Sequence, residues 1–277
     1  MLEGKSIVIT GSGRGLGRAT AIAAARAGAN VVVNDVDGAE ARSVAQQIID
    51  EGGSAVASTH SVADPDQAKA IIDLCVGTFG RIDGLVNNAA LVVNVSAWQT
   101  TAADIDRLVD VNVKGLFYCG VAALSAMHLQ KSGVVLNITS RSHIGWPEAS
   151  LYTATKGAVV SATYSWALDM APFGVRVLAL APTAQTRMSG ERTSDSDPAD
   201  IAQVILYLLS DRASALSGQI VRFSGDKLSL LSRPTYDDPA VVREHFTPEQ
   251  IADALENDLA AQRVLIGVGS ADLSTIG

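Results

Sequence analysis

The chain has 277 residues, of which 48% are hydrophobic and 18% are charged, a composition typical of a compact folded protein rather than a disordered one. Its formal net charge of -8 at pH 7, without a lysine/arginine cluster, argues against a nucleic-acid partner. No uninterrupted apolar run reaches the ~18 residues of a membrane-spanning helix, and the N-terminus lacks the pattern of a signal peptide, so we predict a cytoplasmic protein with no membrane partner.

The two cysteines, Cys75 and Cys119, are isolated in apolar sequence that favours helices. Such spacing offers neither a disulfide framework nor a set of metal ligands. We therefore expect two buried thiols and no metal site.

A glycine-rich loop between a predicted strand and a predicted helix is the first indication of function. Ser6–Thr10 is a β-branched run typical of a buried strand, and an alanine-rich helix is predicted to end near Ala27, before Gly28. Glycines in such a loop allow the backbone to approach a pyrophosphate, and the helix N-terminus offers free N–H groups. The candidate cofactor contacts in the loop are Gly11, Arg14, Gly15, Leu16 and Gly17.

An acidic residue, Asp35, ends the second predicted strand. At that place after a glycine loop, a carboxylate can hydrogen-bond the adenosine ribose hydroxyls and repel a 2′-phosphate. Arg14 complicates the choice of cofactor, because a basic residue in the loop could instead bind a 2′-phosphate. We favour NAD over NADP, since Asp35 directly opposes the additional phosphate.

Helices and strands continue to alternate along the chain. Further helices are predicted at residues 39–50, 65–79, 101–130 and 197–210 and in a segment that ends at Met170; strands are predicted at 30–35, 55–58, 82–86, 133–139, 175–180 and 218–223. This alternation is typical of a Rossmann-type α/β fold, a parallel, doubly wound sheet with helices on both faces. Ligands bind such sheets at the carboxyl ends of the strands, where Asn87–Ala90 and Ser140 are predicted to lie.

A tyrosine and a lysine four residues apart, Tyr152 and Lys156, follow Ser140. Residues at i and i+4 share one face of a helix, so the lysine ammonium can favour the ionised form of the phenol and make it a base near neutral pH. Asn112 is a further candidate, because asparagine is a poor residue for a helix interior and is here flanked by valines.

Together these residues resemble the short-chain dehydrogenase/reductase family, over about residues 4 to 226. The shared motif residues are, in order, Thr10-Gly11-x-x-x-Gly15-x-Gly17, Asp35, Asn87-Asn88-Ala89, Asn112, Ser140 and Tyr152-x-x-x-Lys156. The resemblance implies a sheet of about seven strands, a nicotinamide cofactor, and a homotetramer or homodimer.

The resemblance also implies a role for each residue. Ser140 would hydrogen-bond the substrate oxygen, and Tyr152 would exchange a proton with it as hydride passes to or from the nicotinamide. Lys156 would lower the pKa of Tyr152 and bind the nicotinamide ribose, while Asn112 would hold a water that links Lys156 to solvent. Ser142 is a rival for the role of Ser140. The implied cofactor contacts, besides the glycine loop, Asp35, Tyr152 and Lys156, are Ser61, Val62, Asn88, Ala89, Pro182 and Thr186.

Three positions depart from the family pattern. Ala90 stands where glycine is usual, Thr183 replaces a common glycine after Pro182, and Ser61-Val62 occupies the place of an Asp-Val pair that often contacts adenine. His60 is the alternative for that adenine contact.

Within the family, the chain is similar to (3R)-hydroxyacyl-CoA dehydrogenase domains and bacterial hydroxysteroid dehydrogenases, through residues 31–35 and 181–188 and a short stretch before Pro198. We therefore predict an NAD-dependent oxidoreductase that acts on a small-molecule secondary alcohol or ketone, either a hydroxyacyl thioester or a hydroxysteroid-like compound. The alternative is an NADPH-dependent 3-oxoacyl carrier-protein reductase or general carbonyl reductase, with Arg14 as its main support. A non-catalytic dinucleotide sensor or scaffold would be expected to have lost Tyr152 or Lys156.

Residues 1–226 are predicted to form the Rossmann domain, and residues 227–277 a C-terminal extension that packs on the same domain or on a neighbouring subunit. Thr247-Pro248-Glu249-Gln250 is a helix start with a capping box. Ile251, Leu255 and Leu259 are expected on one apolar face of that helix.

Overall fold

The computed structural model describes residues 1–183, 196–225, 227–232, 240–241 and 247–258. Contacts divide the chain into one unit at Met1–Leu231 and a second at Ser232–Gly277. The helices are α1 (Gly15–Arg26), α2 (Gly38–Asp50), α3 (Pro65–Phe79), α4 (Ala102–Leu108), α5 (Gly115–Gln130), α6 (Ser150–Met170), α7 (Pro198–Leu209) and α8 (Pro248–Asp253). The strands are β1 (Ser6–Thr10), β2 (Asn30–Asn34), β3 (Ser54–Ser58), β4 (Gly84–Asn87), β5 (Gly133–Ile138), β6 (Val175–Pro182), β7 (Ile220–Ser224) and β8 (Lys227–Leu230).

The strands form one sheet in the order β3-β2-β1-β4-β5-β6-β7-β8, parallel throughout except for β8, which runs antiparallel to β7. The predicted doubly wound Rossmann-type fold is thereby confirmed. The sheet has one strand more than the seven expected, since β8 follows β7 through a turn in which Gly225 has a φ of 60°. Chain order reverses between β1 and β4, and ligands bind such sheets at this switch point.

Alternate residues of each strand pack against the helices on opposite faces of the sheet. On β1, Ile7 and Ile9 join the core with α1, α2 and α7, whereas Val8 joins the core with α3, α5 and α6. Both faces of the central strands are therefore buried, as expected for continuous β-branched runs in a parallel sheet.

The helical run from Ala102 to Gln130 is long and apolar enough to cross a membrane by length and composition alone. Its inward face, including Leu116, Ala123 and Met127, is nevertheless buried in the core on the sheet, which is typical of a core helix. This run is also not a single α-helix, because residues Val109–Lys114 between α4 and α5 form a π-helical turn.

The second unit contains the predicted capping box. The Thr247 hydroxyl accepts a hydrogen bond from the Gln250 N–H, and the Gln250 side chain accepts one from the Thr247 N–H. Of the predicted apolar face, Ile251 and Leu255 are exposed, and Leu259 lies outside the described residues.

Candidate active site

A cavity of about 1260 Å³ opens at the carboxyl ends of β1, β2, β4, β5 and β6, large enough for a sizeable ligand. Its lining includes most of the residues selected from the sequence: Gly11, Arg14, Gly15, Leu16, Gly17, Asp35, Ser61, Val62, Asn88, Ala89, Ser140, Tyr152, Lys156 and Pro182. His60, the alternative for the adenine contact, lines it as well. Thr186 lies outside the described residues.

Two helices that begin at this cavity, α1 and α6, have no side chain capping their N-termini. In contrast, Asp37, Asp64, Thr101 and Asp197 cap α2, α3, α4 and α7. Uncapped N–H groups at the start of a helix, together with its positive dipole end, form an anion site. The loop before α1 is therefore suited to a phosphate group.

The glycine loop is packed so closely that side chains would fill it. A Cβ on Gly17 would lie 2.2 Å from the Gly11 carbonyl oxygen, and one on Gly11, where φ is +63°, would lie 2.9 Å from the Ala89 Cα. These contacts explain why both positions are glycine. Gly11 and Gly17 also line the cavity, where a ligand can reach their backbone. The residues present thus fit the pyrophosphate of a dinucleotide.

Asn88 and Thr10 fix the glycine loop to the end of β4. The Asn88 amide donates to the carbonyl oxygens of Thr10 and Gly11 at 2.9 and 3.0 Å. The Thr10 hydroxyl oxygen accepts from the backbone N–H groups of Asn88 and Ala89, both at 3.1 Å. Asn88, selected as a cofactor contact, therefore also holds the loop in place.

Asp35 lies at the predicted ribose position, and both of its carboxylate oxygens accept backbone hydrogen bonds, from Gly13 and Asp37 at 3.0 Å each. Arg14 is paired with two other acids, Asp37 at 2.8 Å and Glu40 at 3.1 Å. Asp37 and Glu40 were not predicted from the sequence as partners of Arg14. These two carboxylates form ion pairs with Arg14 and so offset the positive charge that would favour the 2′-phosphate of NADP.

Ser140, Tyr152 and Lys156 meet at the end of β5. The Tyr152 phenol forms a hydrogen bond with Ser140, whose hydroxyl oxygen also accepts one from the Ser142 hydroxyl at 3.0 Å. The two serines considered as rivals are therefore linked, with Ser140 the one that contacts the tyrosine.

The buried ammonium of Lys156 donates to the Ile138 carbonyl oxygen at 2.8 Å and lies 5.6 Å from the centroid of the Tyr152 ring. Burial lowers the pKa of Lys156 from 10.5 to about 8. Burial also raises the pKa of Tyr152, and the hydrogen bond from Ser140 only partly opposes this. The expected lowering of the Tyr152 pKa is thus wrong for this structure, because loss of solvation outweighs the hydrogen bond from Ser140.

Asn112 is held in the π-helical turn by three hydrogen bonds. Its amide donates to the Leu91 carbonyl oxygen at 2.9 Å and to the Thr155 hydroxyl at 3.1 Å, and its side-chain oxygen accepts from the Leu91 N–H at 2.7 Å. Single π-turns inside helices are frequent at functional sites. Asn112 and Lys156 both line a small separate cavity of about 10 Å³, which matches one water molecule.

Arg222 and Ser224 of β7 line the cavity but were not selected from the sequence. Their chemistry alone gave no signal. Trp146, Pro147 and Glu148 also line the cavity, and they fall in the stretch Arg141–Ala149 that the sequence indicates as part of the pocket wall. The position of β7 beside β6 could have indicated Arg222 and Ser224, because both stand near the carboxyl end of a strand next to the site.

The chain is similar to proteins of one known family. A family model described as short chain dehydrogenase matches residues 5–197. The chain belongs to this family. Among its relatives, the 3-oxoacyl-[acyl-carrier-protein] reductase FabG of Thermotoga maritima is 32% identical, over 81% of this chain and 98% of the relative. The reductase of the same name from Staphylococcus aureus is 33% identical, over 80% and 97%.

Solved structures of short-chain dehydrogenases share the fold. One from Mycobacterium avium is 30% identical with a TM-score of 0.85 and covers 98% of this chain and 99% of its own. The 3-ketoacyl-(acyl-carrier-protein) reductase from Brucella melitensis, complexed with NADH, is 31% identical with a TM-score of 0.76, over 82% and 99%. The protein is therefore an NAD(P)-dependent oxidoreductase of this family.

Proposed function

We propose that this short-chain dehydrogenase interconverts a 3-oxoacyl and a 3-hydroxyacyl group with NAD(H). The observation that carries the proposal is the meeting of Ser140, Tyr152 and Lys156 in the cavity that also holds the glycine loop. The relatives are named as 3-oxoacyl carrier-protein reductases, which is the alternative predicted from the sequence rather than the favoured dehydrogenase. Hydroxyacyl dehydrogenases and these reductases interconvert the same chemical couple. The relatives favour the reductive direction.

The bound cofactor would supply or accept hydride, and the protein would supply position and protons. The glycine loop, with the start of α1, would hold the pyrophosphate, and Asp35 the adenosine ribose. Ser140 would donate a hydrogen bond to the substrate oxygen, and Tyr152 would transfer a proton to that oxygen during reduction. Tyr152 is protonated at neutral pH, since its pKa is raised rather than lowered, and this is the state that a proton donor requires.

Lys156 would replace the proton that Tyr152 gives up. Its pKa of about 8 keeps it mostly protonated at pH 7 and still able to release a proton. The small cavity between Lys156 and Asn112 is where a water would connect the lysine toward solvent.

Charges around the adenosine end support NAD over NADP. Asp35 faces the cavity and Arg14 is already paired with Asp37 and Glu40, so a 2′-phosphate would enter a region with three carboxylates and one guanidinium. Like charges at this distance disfavour binding. The Brucella relative in complex with NADH is consistent with this choice.

Tyr152→Phe tests the proposed reaction. We expect wild-type protein to oxidise NADH in the presence of a 3-oxoacyl pantetheine thioester. The substitution should lower kcat by about 10³-fold, within the usual contribution of a general acid, while the affinity for NADH, followed by nicotinamide fluorescence, stays within about threefold. Tyr207→Phe, in α7 and outside the cavity lining, is the matched control and should retain activity. Unchanged kcat in Tyr152→Phe would contradict the assigned role, and NADH binding without turnover of any ketone would favour a sensor.

A further inference from the structure

Arg222 of β7 lines the cavity beside the helix that carries Tyr152. Ile220, two residues earlier on β7, packs against Val160 of α6 and Ala179 of β6. Residues two apart on a strand share a face, so Arg222 and then Ser224 lie on the face covered by α6, the helix that carries Tyr152. Both also line the cavity.

Arg222 is a half-buried cation that lacks a partner for one of its donors. Its Nε atom is buried without a hydrogen bond, and within the described part of the chain it forms no ion pair with an acid. Arg176 on the neighbouring strand offers a contrast, because it donates to carbonyl oxygens near the end of α7. A buried donor left without a partner is costly, which indicates that a ligand supplies the partner.

The other basic side chains that line the cavity are engaged within the protein. Arg14 is paired with Asp37 and Glu40, and Lys156 donates to a backbone carbonyl oxygen. Arg141 lies over the ring of Trp146, 5.4 Å from its centroid. Arg222 is therefore the basic lining residue, among those described, that is available to an anion.

The position of β7 limits where that anion lies. Parallel strands are spaced about 4.8 Å apart, so β7, the second strand from β5, is about 10 Å from the strand that leads to Ser140. Because Arg222, Ser140 and Tyr152 line the same cavity, an anionic group bound by Arg222 would lie on the order of 10 Å from the reacting carbonyl. This separation fits a carboxylate on a short acyl chain.

We propose that Arg222, aided by the Ser224 hydroxyl, binds a carboxylate of the substrate, so that the substrate is an anionic 3-oxo or 3-hydroxy compound. The guanidinium fork matches a carboxylate bidentately. The inference rests on the proposed function for the identity of the reacting group. The carboxylate has two possible sources: the C1 acid of a free oxo acid, or a carboxylate at the far end of an acyl thioester.

Two matched substrate pairs distinguish these sources. The first is 3-oxohexanoate and its methyl ester. The second is the pantetheine thioester of 3-oxoadipate, with a distal carboxylate, and that of 3-oxohexanoate. For each pair, kcat/KM with NADH is measured in wild type, Arg222→Met, Arg222→Lys and the control Arg212→Met, an exposed arginine that lies outside the cavity lining.

We expect wild type to prefer the anionic member of one pair, and Arg222→Met to reduce that preference about 100-fold. The neutral member and the affinity for NADH should change less than threefold, Arg222→Lys should restore part of the preference, and Arg212→Met should behave as wild type. An unchanged preference in Arg222→Met, or an equal loss for both members, would overturn the inference.

A wild-type protein that reduces no ketone would count against the proposed function, and binding then tests Arg222 separately. Quenching of bound NADH fluorescence by 3-hydroxyhexanoate and by the pantetheine thioester of 3-hydroxyadipate is titrated in the same four proteins. Binding of either compound by wild type but not by Arg222→Met would support the anion site. Absence of binding of both by wild type would overturn it.

Discussion

The cofactor and substrate sides of the cavity differ in how their polar groups are satisfied. On the cofactor side, Asp35 accepts two backbone hydrogen bonds, Asn88 bridges the glycine loop, and Arg14 is paired with acids. On the side that includes β7 and the start of α6, Arg222 Nε is buried without a hydrogen-bond partner in the described chain.

This difference indicates two kinds of preparation for binding. The polar side chains named on the cofactor side already have their partners before the dinucleotide arrives, so little free energy is needed to order them. On the substrate side, Arg222 Nε is unpaired, and the free-energy cost of leaving this donor unpaired is relieved only by a ligand that accepts its hydrogen bond. We therefore expect the affinity for the dinucleotide to depend on the shape of the backbone on the cofactor side. We expect the specificity for the substrate to depend on side-chain partners on the substrate side.

Gly17→Ala should have the largest effect on the cofactor side. The added Cβ would lie 2.2 Å from the Gly11 carbonyl oxygen, a backbone atom with little freedom to move. Displacement of the loop should reduce NADH affinity about 100-fold or more, as measured by nicotinamide fluorescence. Gly77→Ala in α3, whose Cβ would have no neighbour within 4 Å, is the control and should leave affinity unchanged. Equal affinities in both variants would show that the loop is not preorganised as described.

Asn112→Ala should impair the substrate side while the cofactor side remains intact. The change leaves the buried backbone groups of Leu91 without their side-chain partner, which should cost about 2 kcal/mol of unfolding free energy. It also disrupts the small cavity beside Lys156, so we expect kcat to fall about tenfold or more with NADH affinity unchanged. Thr155→Val, which removes one of the hydrogen bonds to Asn112, should have a smaller effect. A kcat retained in Asn112→Ala would contradict a role in proton supply.

Lys156→Met tests how much the buried ammonium of Lys156 lowers the free energy of unfolding. The folded pKa of about 8 lies below the ordinary value of 10.5, so between these pH values the unfolded chain binds more protons and stability rises with pH. At pH 7 the folded protein carries the full cost of a buried ammonium. Removal of the charge should therefore raise the free energy of unfolding by about 1–3 kcal/mol. Loss of the hydrogen bond to the Ile138 carbonyl oxygen reduces this gain.

The gain from Lys156→Met should shrink as the pH rises from 8 to 10.5. Urea unfolding at pH 7 and pH 10 measures it, with Lys227→Met on the exposed strand β8 as a control that should show no such dependence. A variant less stable than wild type at pH 7 would mean that the lysine stabilises the fold and that its pKa is not lowered.

Much of the fold followed from local sequence signals. The glycine loop between a β-branched run and an alanine-rich segment predicted β1 and α1, and Pro65–Phe79 was predicted with the bounds that the structure has. In that helix Asp64 caps the start, Pro65 occupies the first turn, and Gly80 ends it with a φ of 79°. Such signals are reliable because they depend on a few neighbouring residues.

Other features depended on contacts between distant residues. The π-turn at Asn112, the pairs of Arg14 with Asp37 and Glu40, and the unpaired Arg222 each arise from residues brought together by folding. The direction of the Tyr152 pKa also required the degree of burial, which spacing from Lys156 did not provide. β8 was missed because it has only four residues, all of them exposed, and none of them is a β-branched or aromatic residue of the kind that favours strands.

The choice of dinucleotide tests the account of the preorganised cofactor side most directly. NADH and NADPH are titrated against wild type, Asp35→Ala and Arg14→Gln, with nicotinamide fluorescence as the readout. We predict that wild type binds NADH at least tenfold more tightly than NADPH, that Asp35→Ala narrows this ratio by an order of magnitude, and that Arg14→Gln changes NADPH affinity less than threefold because its charge is already paired. Tighter binding of NADPH by wild type, lost in Arg14→Gln, would contradict the account and favour an NADPH-dependent reductase.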